Sequence, residues 1–254
     1  MTEADSANRP VTIRAENISK SYGDFAALTN VSFQVRKGTV AAFLGVNGAG
    51  KSTTMRILTG YLAPTVGRVE VLGLDPTDHI ARIELARKLG YLPENGPLYR
   101  DMTPHESLQF FVDLRRLDNG AARIDRVVER CAIGQVLHKP IYKLSKGYRQ
   151  RVGMAQSLLH DPEVLILNEP TSGLDPLQIR DVRALIRELG KDKTILLSTH
   201  ILQEVEAVAD TVIMVHDGRV VFSGVKEDLG GPAGIEARFY ELTGAKGGAK
   251  KEVA

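Results

Sequence analysis

One stretch limits the architecture more than any other: the apolar run Val40 to Leu44 leads straight into Gly45-Val46-Asn47-Gly48-Ala49-Gly50-Lys51-Ser52. A compact apolar run of this length reads as a buried strand. The eight residues after it fit GxxxxGK followed by Ser or Thr, a phosphate-binding loop. Gly45, Gly48 and Gly50 let the backbone curl so that its N–H groups converge on an anion. The helix starting there offers its positive N-terminal end to the same charge. Lys51 can reach terminal phosphates and the Ser52 hydroxyl can ligate Mg²⁺, with Asn47 and Thr53 alongside. A chance match in a chain this long is on the order of one in a hundred, and the preceding strand lowers it further.

The remaining pattern is that of an α/β protein. Val11 to Ile18 and Val31 to Val35 alternate as strands around a turn at Tyr22-Gly23-Asp24, and Gly67 to Val71 adds another. Ile80 to about His160 is expected to be largely helical. Within it Thr103-Pro104-His105-Glu106 is a capping box, followed by Leu108, Phe111 and Leu114 at helical spacing. Ser145 is a further N-cap, with a stop near Asp161-Pro162. Val164 to Leu167 is a second buried strand. Asp175 caps a helix with Gln178 at N3 and an apolar stripe at Val182, Leu185, Ile186 and Leu189. Thr194 to Ser198 is a strand and Gln203 to Ala209 a helix. Asp217-Gly218 turns a hairpin between Val212 to Val215 and Val220 to Phe222. Ile235 to Leu242 can form one more helix. Strands alternating with helices predict a parallel α/β sheet, with antiparallel parts from the hairpins.

Composition excludes several classes. The chain has 254 residues and a formal net charge of +2, too small to argue for a nucleic-acid surface. A single cysteine, Cys131, forbids an intrachain disulfide and fits a reducing compartment. The first ten residues carry no apolar segment of a signal peptide. No apolar run approaches the roughly 18 residues of a membrane helix, so any membrane role is expected to pass through a partner.

A phosphate loop alone does not say which nucleotide hydrolase this is. Leu144-Ser145-Lys146-Gly147-Tyr148-Arg149-Gln150-Arg151-Val152 resembles the LSGGQ signature of ABC ATPases, with Lys146 in place of the first glycine and Tyr148 in place of the glutamine. Asn168-Glu169-Pro170-Thr171-Ser172-Gly173-Leu174-Asp175 resembles the family's Walker B segment and D-loop. His200 stands at the switch histidine, Glu94 in Gly90-Tyr91-Leu92-Pro93-Glu94 at the Q-loop glutamine, and Tyr22 at the adenine-stacking aromatic. The motifs come in family order over about residues 11 to 224. The finer likeness, carried by Tyr91 to Tyr99, Leu144 to Val152 and Ser198 to Glu206, is to bacterial exporter-type ATPases, including those of gliding motility and nitrous oxide reductase maturation.

The resemblance implies a RecA-like P-loop core over residues 11–230, with an antiparallel β subdomain and a helical subdomain at about 93–160, flanked by tails 1–10 and 231–254. It implies an ATPase using ATP and Mg²⁺, with Lys51, Glu169 and His200 catalytic. Tyr22, the loop residues and Glu94 would bind nucleotide, and Ser52, Glu94 and Asn168 the metal. Ser145 and Gly147 would meet ATP held by a second ATPase subunit. The other implied partner is a transmembrane permease, which would hold the chain at the inner face of the cell membrane from the cytoplasmic side. Asp175 reads equally as a helix cap or a subunit contact, and Tyr22 as a stacking or a core residue. Asn168 departs from the family's aspartate. It keeps open a second reading, a nucleotide-gated switch with very slow hydrolysis, and the residue itself could be natural or engineered.

Overall fold

The computed structural model describes residues 9–94, 96, 98–230 and 232–244. Of the expected tails, residues 1–8 and 245–254 lie outside these, as do Asn95, Pro97 and Gly231.

Two sheets organise the chain. The first is antiparallel, in the order β2-β1-β4, from β1 (Val11–Tyr22), β2 (Phe25–Arg36) and β4 (Val66–Val71). The turn between β1 and β2 lies at Gly23-Asp24, where Gly23 takes a left-handed φ of 57°. Both strands are longer than their alternation predicts, because Lys20, Ser21 and Tyr22 continue the ladder opposite Leu28, Ala26 and Phe25 through irregular register. The second sheet holds β3 (Val40–Leu44), β5 (Leu89–Leu92), β6 (Val164–Asn168), β7 (Thr194–Thr199), β8 (Thr211–His216) and β9 (Arg219–Val225). Its order is β5-β6-β7-β3-β8-β9, parallel except for the β8–β9 hairpin.

The central strands are apolar throughout because both faces are covered. On β3, Val40, Ala42 and Leu44 join one core cluster while Ala41 and Phe43 join the other. On β6, Leu165 and Leu167 face opposite to Val164 and Ile166 in the same way. The antiparallel sheet closes the second cluster together with α1 (Lys51–Leu58), and Phe33 meets Phe43 at 5.3 Å between ring centroids.

The expected helical stretch is interrupted. After α2 (His79–Lys88) the chain enters β5 directly, a strand missed because it has only four residues, one of them Gly90. Pairing of Leu89 to Leu92 with Val164 to Leu167 decides its state. The helical insertion then runs through α3 (Pro104–Arg115), α4 (Gly120–Arg130), short 3₁₀ turns and α5 (Lys146–Leu158). Thr103 and Glu106 form the expected capping box. The buried face of α3 is Leu108 and Val112, with Phe111 packed beside it; Leu114 is 64% exposed and leaves the expected stripe. The chain continues through α6 (Pro176–Leu189), whose expected stripe is buried, and α7 (Leu202–Val208). The C-terminal α8 (Pro232–Thr243) places Ile235 and Phe239 in the core, so this part of the expected tail is docked.

Candidate functional site

Three neighbouring parallel strands end at one place. The glycine loop follows β3, Glu169 follows β6 and His200 follows β7, and β7 lies between the other two. Open α/β sheets bind ligands at the carboxyl ends of their strands. The cleft here measures about 520 Å³. Asn47, Gly48, Gly50, Lys51, Ser52 and Thr53 form its floor. Glu94, Glu169 and His200 line one side, and Tyr22 the mouth.

The loop has the conformation its glycines permit. Gly48 and Gly50 have φ of 84° and 99°, values that side-chain-bearing residues rarely adopt. A Cβ on Gly50 would also come within 2.5 Å of the Leu28 side chain and 2.8 Å of the Ala27 carbonyl. A Cβ on Gly45 would meet the Val215 carbonyl at 2.6 Å.

Lys51 is a buried cation, 6% exposed. Its Nζ donates to the carbonyls of Gly45 at 2.8 Å and Val46 at 3.1 Å, and lies 3.3 Å from Glu169 Oε1. Glu169 Oε2 is 2.9 Å from His200 Nδ1. A continuous polar chain therefore runs from the ammonium through the carboxylate to the imidazole. Glu169 has a left-handed φ of 49°, a cost of order 1–3 kcal/mol for a non-glycine residue that its surroundings offset. Its N–H donates to Ser198, and its carbonyl accepts from Gln150 Nε2 at 3.4 Å.

Asn168 is 3% exposed and both ends of its amide are engaged. Ser198 Oγ donates to Asn168 Oδ1 at 2.5 Å, and Asn168 Nδ2 donates to Ser52 Oγ at 3.3 Å. Asn168 therefore stands beside the Ser52 hydroxyl, the neighbourhood in which the sequence placed the metal.

Tyr22 is 46% exposed, which excludes it from the core and leaves its ring on the cleft. Beside it Phe25, 65% exposed, is a second aromatic on the wall that sequence reading passed over; its only signal was its place after the hairpin turn. Ser198, which holds both Asn168 and Glu169, was also missed, because a serine inside an apolar strand carries no motif.

Ser145, Gly147 and Asp175 are not among the residues lining the cleft. Ser145 caps α5, accepting from the Tyr148 N–H at 3.3 Å. Asp175 caps α6 in a capping box with Gln178, whose side chain packs on Gly147. The cap reading of Asp175 is thus realised within the chain.

The residues present fit a nucleotide and its cation. Glycine-permitted N–H groups and Lys51 suit phosphates. Mg²⁺ ordinarily takes one or two carboxylates plus phosphate oxygens, and Glu94, Glu169 and the Ser52 hydroxyl share the cleft. Among the described residues no cluster of three or more His, Cys, Asp or Glu could hold a metal ion.

A family model for ABC transporters matches residues 28–172, from β2 past the turn after Glu169. The chain belongs to the ABC transporter family. An uncharacterised ABC transporter ATP-binding protein of Methanocaldococcus jannaschii is 39% identical over 220 residues, covering 85% of this chain and 79% of the relative. The bacitracin transport ATP-binding protein BcrA of Bacillus licheniformis is 37% identical, covering 82% and 68%. Among solved structures, cbiO1 of Clostridium perfringens, described as part of the ABC transporter complex cbiONQ, is 29% identical with a TM-score of 0.78, covering 91% of this chain and 95% of that one. The two sheets and the helical insertion are thus the α/β architecture of ABC ATP-binding cassettes, with a RecA-like P-loop core.

Proposed function

We propose that the chain is the ATP-hydrolysing motor of a transporter, working as a pair of subunits that drives a separate membrane permease. The observation that carries this reading is the Lys51–Glu169–His200 chain at the ends of three adjacent strands. In the reaction ATP + H₂O → ADP + phosphate, Glu169 orients and polarises the attacking water. His200 fixes the carboxylate and reaches the γ-phosphate, and Lys51 offsets charge developing on the phosphoryl oxygens. Mg²⁺, held by Ser52, Glu94 and the phosphates, would supply further charge neutralisation. Tyr22 and Phe25 offer ring faces for the base. Phosphate release from Mg²⁺-ATP by the purified chain, dependent on Lys51, is the direct test.

Ser145 and Gly147 act on nucleotide held by the second subunit in this reading. Their place outside the cleft of their own chain supports it, as does the exposure of Ser145 and Lys146 at the start of α5, whose N-terminus is a favourable partner for a γ-phosphate; Gly147 is covered by Gln178 within the single chain. Asp175 would add a subunit contact to its capping role. Among the described residues no helix is long and apolar enough to cross a membrane, so the membrane step falls to the permease. BcrA's name and cbiO1's place in a transporter complex support such a partner, here of exporter type, with the chain peripheral on the inner face of the membrane.

In this reading the permease contact lies on the loop and helix from Pro97, outside the described residues, to Phe111. Tyr99 is 51% exposed and its ring meets Phe110 at 5.5 Å, forming an aromatic knob, while Phe111 is committed to the core. Tyr99→Glu is expected to abolish co-purification with the permease while ATPase of the free chain stays within about threefold; undiminished co-purification would refute the placement.

Asn168 supports a second reading, slow turnover. With an amide in place of a carboxylate beside Ser52, the site has one anionic oxygen fewer, and hard cations prefer anionic ligands. Asn168→Asp is expected to lower the Mg²⁺ needed for half-maximal ATPase by roughly tenfold, one charged contact. Glu94→Gln should then hurt the asparagine form more than the aspartate form. Identical Mg²⁺ titrations in both backgrounds would remove position 168 from the metal site.

A further inference from the structure

Glu204 is a carboxyl that no motif explains. It lies on the inner face of α7, 2% exposed, four residues beyond His200. One carboxyl oxygen accepts the hydroxyl of Thr171, two residues after Glu169. The other accepts the hydroxyl of Thr199 at 2.5 Å, immediately before His200. Thr199 Oγ1 in turn accepts the Ile201 N–H at 3.0 Å, which binds the chain on both sides of the histidine. Burying a carboxyl this deeply is unfavourable, and burial pushes its pKa up; the Thr199 hydrogen bond and the charge of Arg183 oppose that shift, while the Glu169 carboxylate adds to it. A helix meant only to pack could place leucine here at no such cost.

We infer that Glu204 is a positioning residue for hydrolysis, tying the Glu169 turn to the His200 turn so that the carboxylate and imidazole stay in register. This rests on the proposed ATPase reading. The Glu169–His200 contact of 2.9 Å joins two loops that leave different strands. The Glu169 N–H is held by Ser198 at the end of β7, but the turns beyond these residues retain freedom to shift, and a displacement near 1 Å at a reacting group costs up to about 100-fold in rate. Glu204 removes that freedom by holding Thr171 and Thr199 with a single rigid fork. The tie lies behind the two loops; Glu204 does not line the cleft.

The test is steady-state kinetics with the full-length chain. Glu204→Ala should lower kcat by about tenfold or more while KM for Mg²⁺-ATP and the affinity for a fluorescent ATP analogue stay within about threefold. Glu204→Gln keeps the volume and one acceptor oxygen and should recover most of that loss. Thr171→Val should behave like the alanine variant, and Thr171→Ser like the wild type. The decisive comparison repeats Glu204→Ala in a His200→Ala background, where the kcat loss should largely vanish, since there is no imidazole left to position. An undiminished loss in that background, or a loss carried by KM, would overturn the assignment. If Glu204→Ala does not fold, Thr171→Val against Thr171→Ser in the two backgrounds decides the same question. A wild-type chain that binds but does not hydrolyse ATP would sink the ATPase reading itself, an outcome separate from any Glu204 result.

Discussion

Replacing Lys51 with alanine is expected to drop phosphate release from Mg²⁺-ATP by at least about 100-fold, the scale on which single charge-stabilising donors act in transition states. Nucleotide affinity should fall with it, because Lys51 is the fixed cation of the loop and backbone N–H groups alone must then hold the phosphates. The geometry makes the site intolerant of this change. The ammonium is buried, already desolvated, and shares its donors among two carbonyls and Glu169. Phosphate oxygens need only replace acceptors that are themselves in place, so the side chain does not have to be reorganised. The same change leaves the Glu169 carboxylate with His200 as its remaining side-chain contact. The melting temperature should therefore be recorded beside the kinetics, and Lys51→Met, which keeps the apolar stem, separates lost charge from lost packing. Hydrolysis near the wild-type rate in a folded Lys51→Ala variant would end the ATPase assignment.

Glu169→Gln should divide binding from chemistry. A general base contributes typically 10² to 10⁴ in rate, so turnover is expected to fall at least about 100-fold. Binding should persist, since glutamine has the same shape and can offer its oxygen to Lys51 and its amide to His200 Nδ1 as acceptor. The backbone that aims the side chain is anchored independently, through Ser198 and Gln150, and does not depend on the charge. With hydrolysis blocked, ATP should hold two subunits together. Size-exclusion chromatography with light scattering should then show a doubled mass with Mg²⁺-ATP and not with ADP. Ser145 of one chain should cross-link near the nucleotide loop of the other. A variant that binds ATP and stays monomeric, alone and with its permease, would show that the proposed pairing in trans is wrong for this chain.

What could be read from the residues follows from which interactions are local. The helix starts at Thr103, Ser145 and Asp175 were legible because capping is decided within four residues, and each cap is made as expected. The loop was legible because glycine spacing is itself the conformation. β5 was not, since four residues with a glycine become a strand only through a partner about seventy-five positions later. The burial of Leu108 and Val112 in place of the Leu114 end of the stripe reflects what lies opposite α3, which no helical period records. In the site, the residue types were readable and their pairings were not. Nothing local says that Asn168 turns its N–H to Ser52, or that Glu204 points inward to two threonines. The roles assigned to Ser145 and Gly147 need a second molecule.

The position of β7 has a consequence for how the protein is made. The glycine loop leaves the ribosome early and Glu169 much later, but neither β3 nor β6 borders the other: β7 is the strand that joins them, and it is followed at once by His200. The newborn chain thus carries its phosphate loop for on the order of ten seconds, at ordinary translation speed, before the strand that completes the cleft exists. For that interval Glu169 and His200 are not yet held across from Lys51. The complete cleft, with Glu169 and His200 across from the loop, can therefore form only after the chain as far as His200 has emerged.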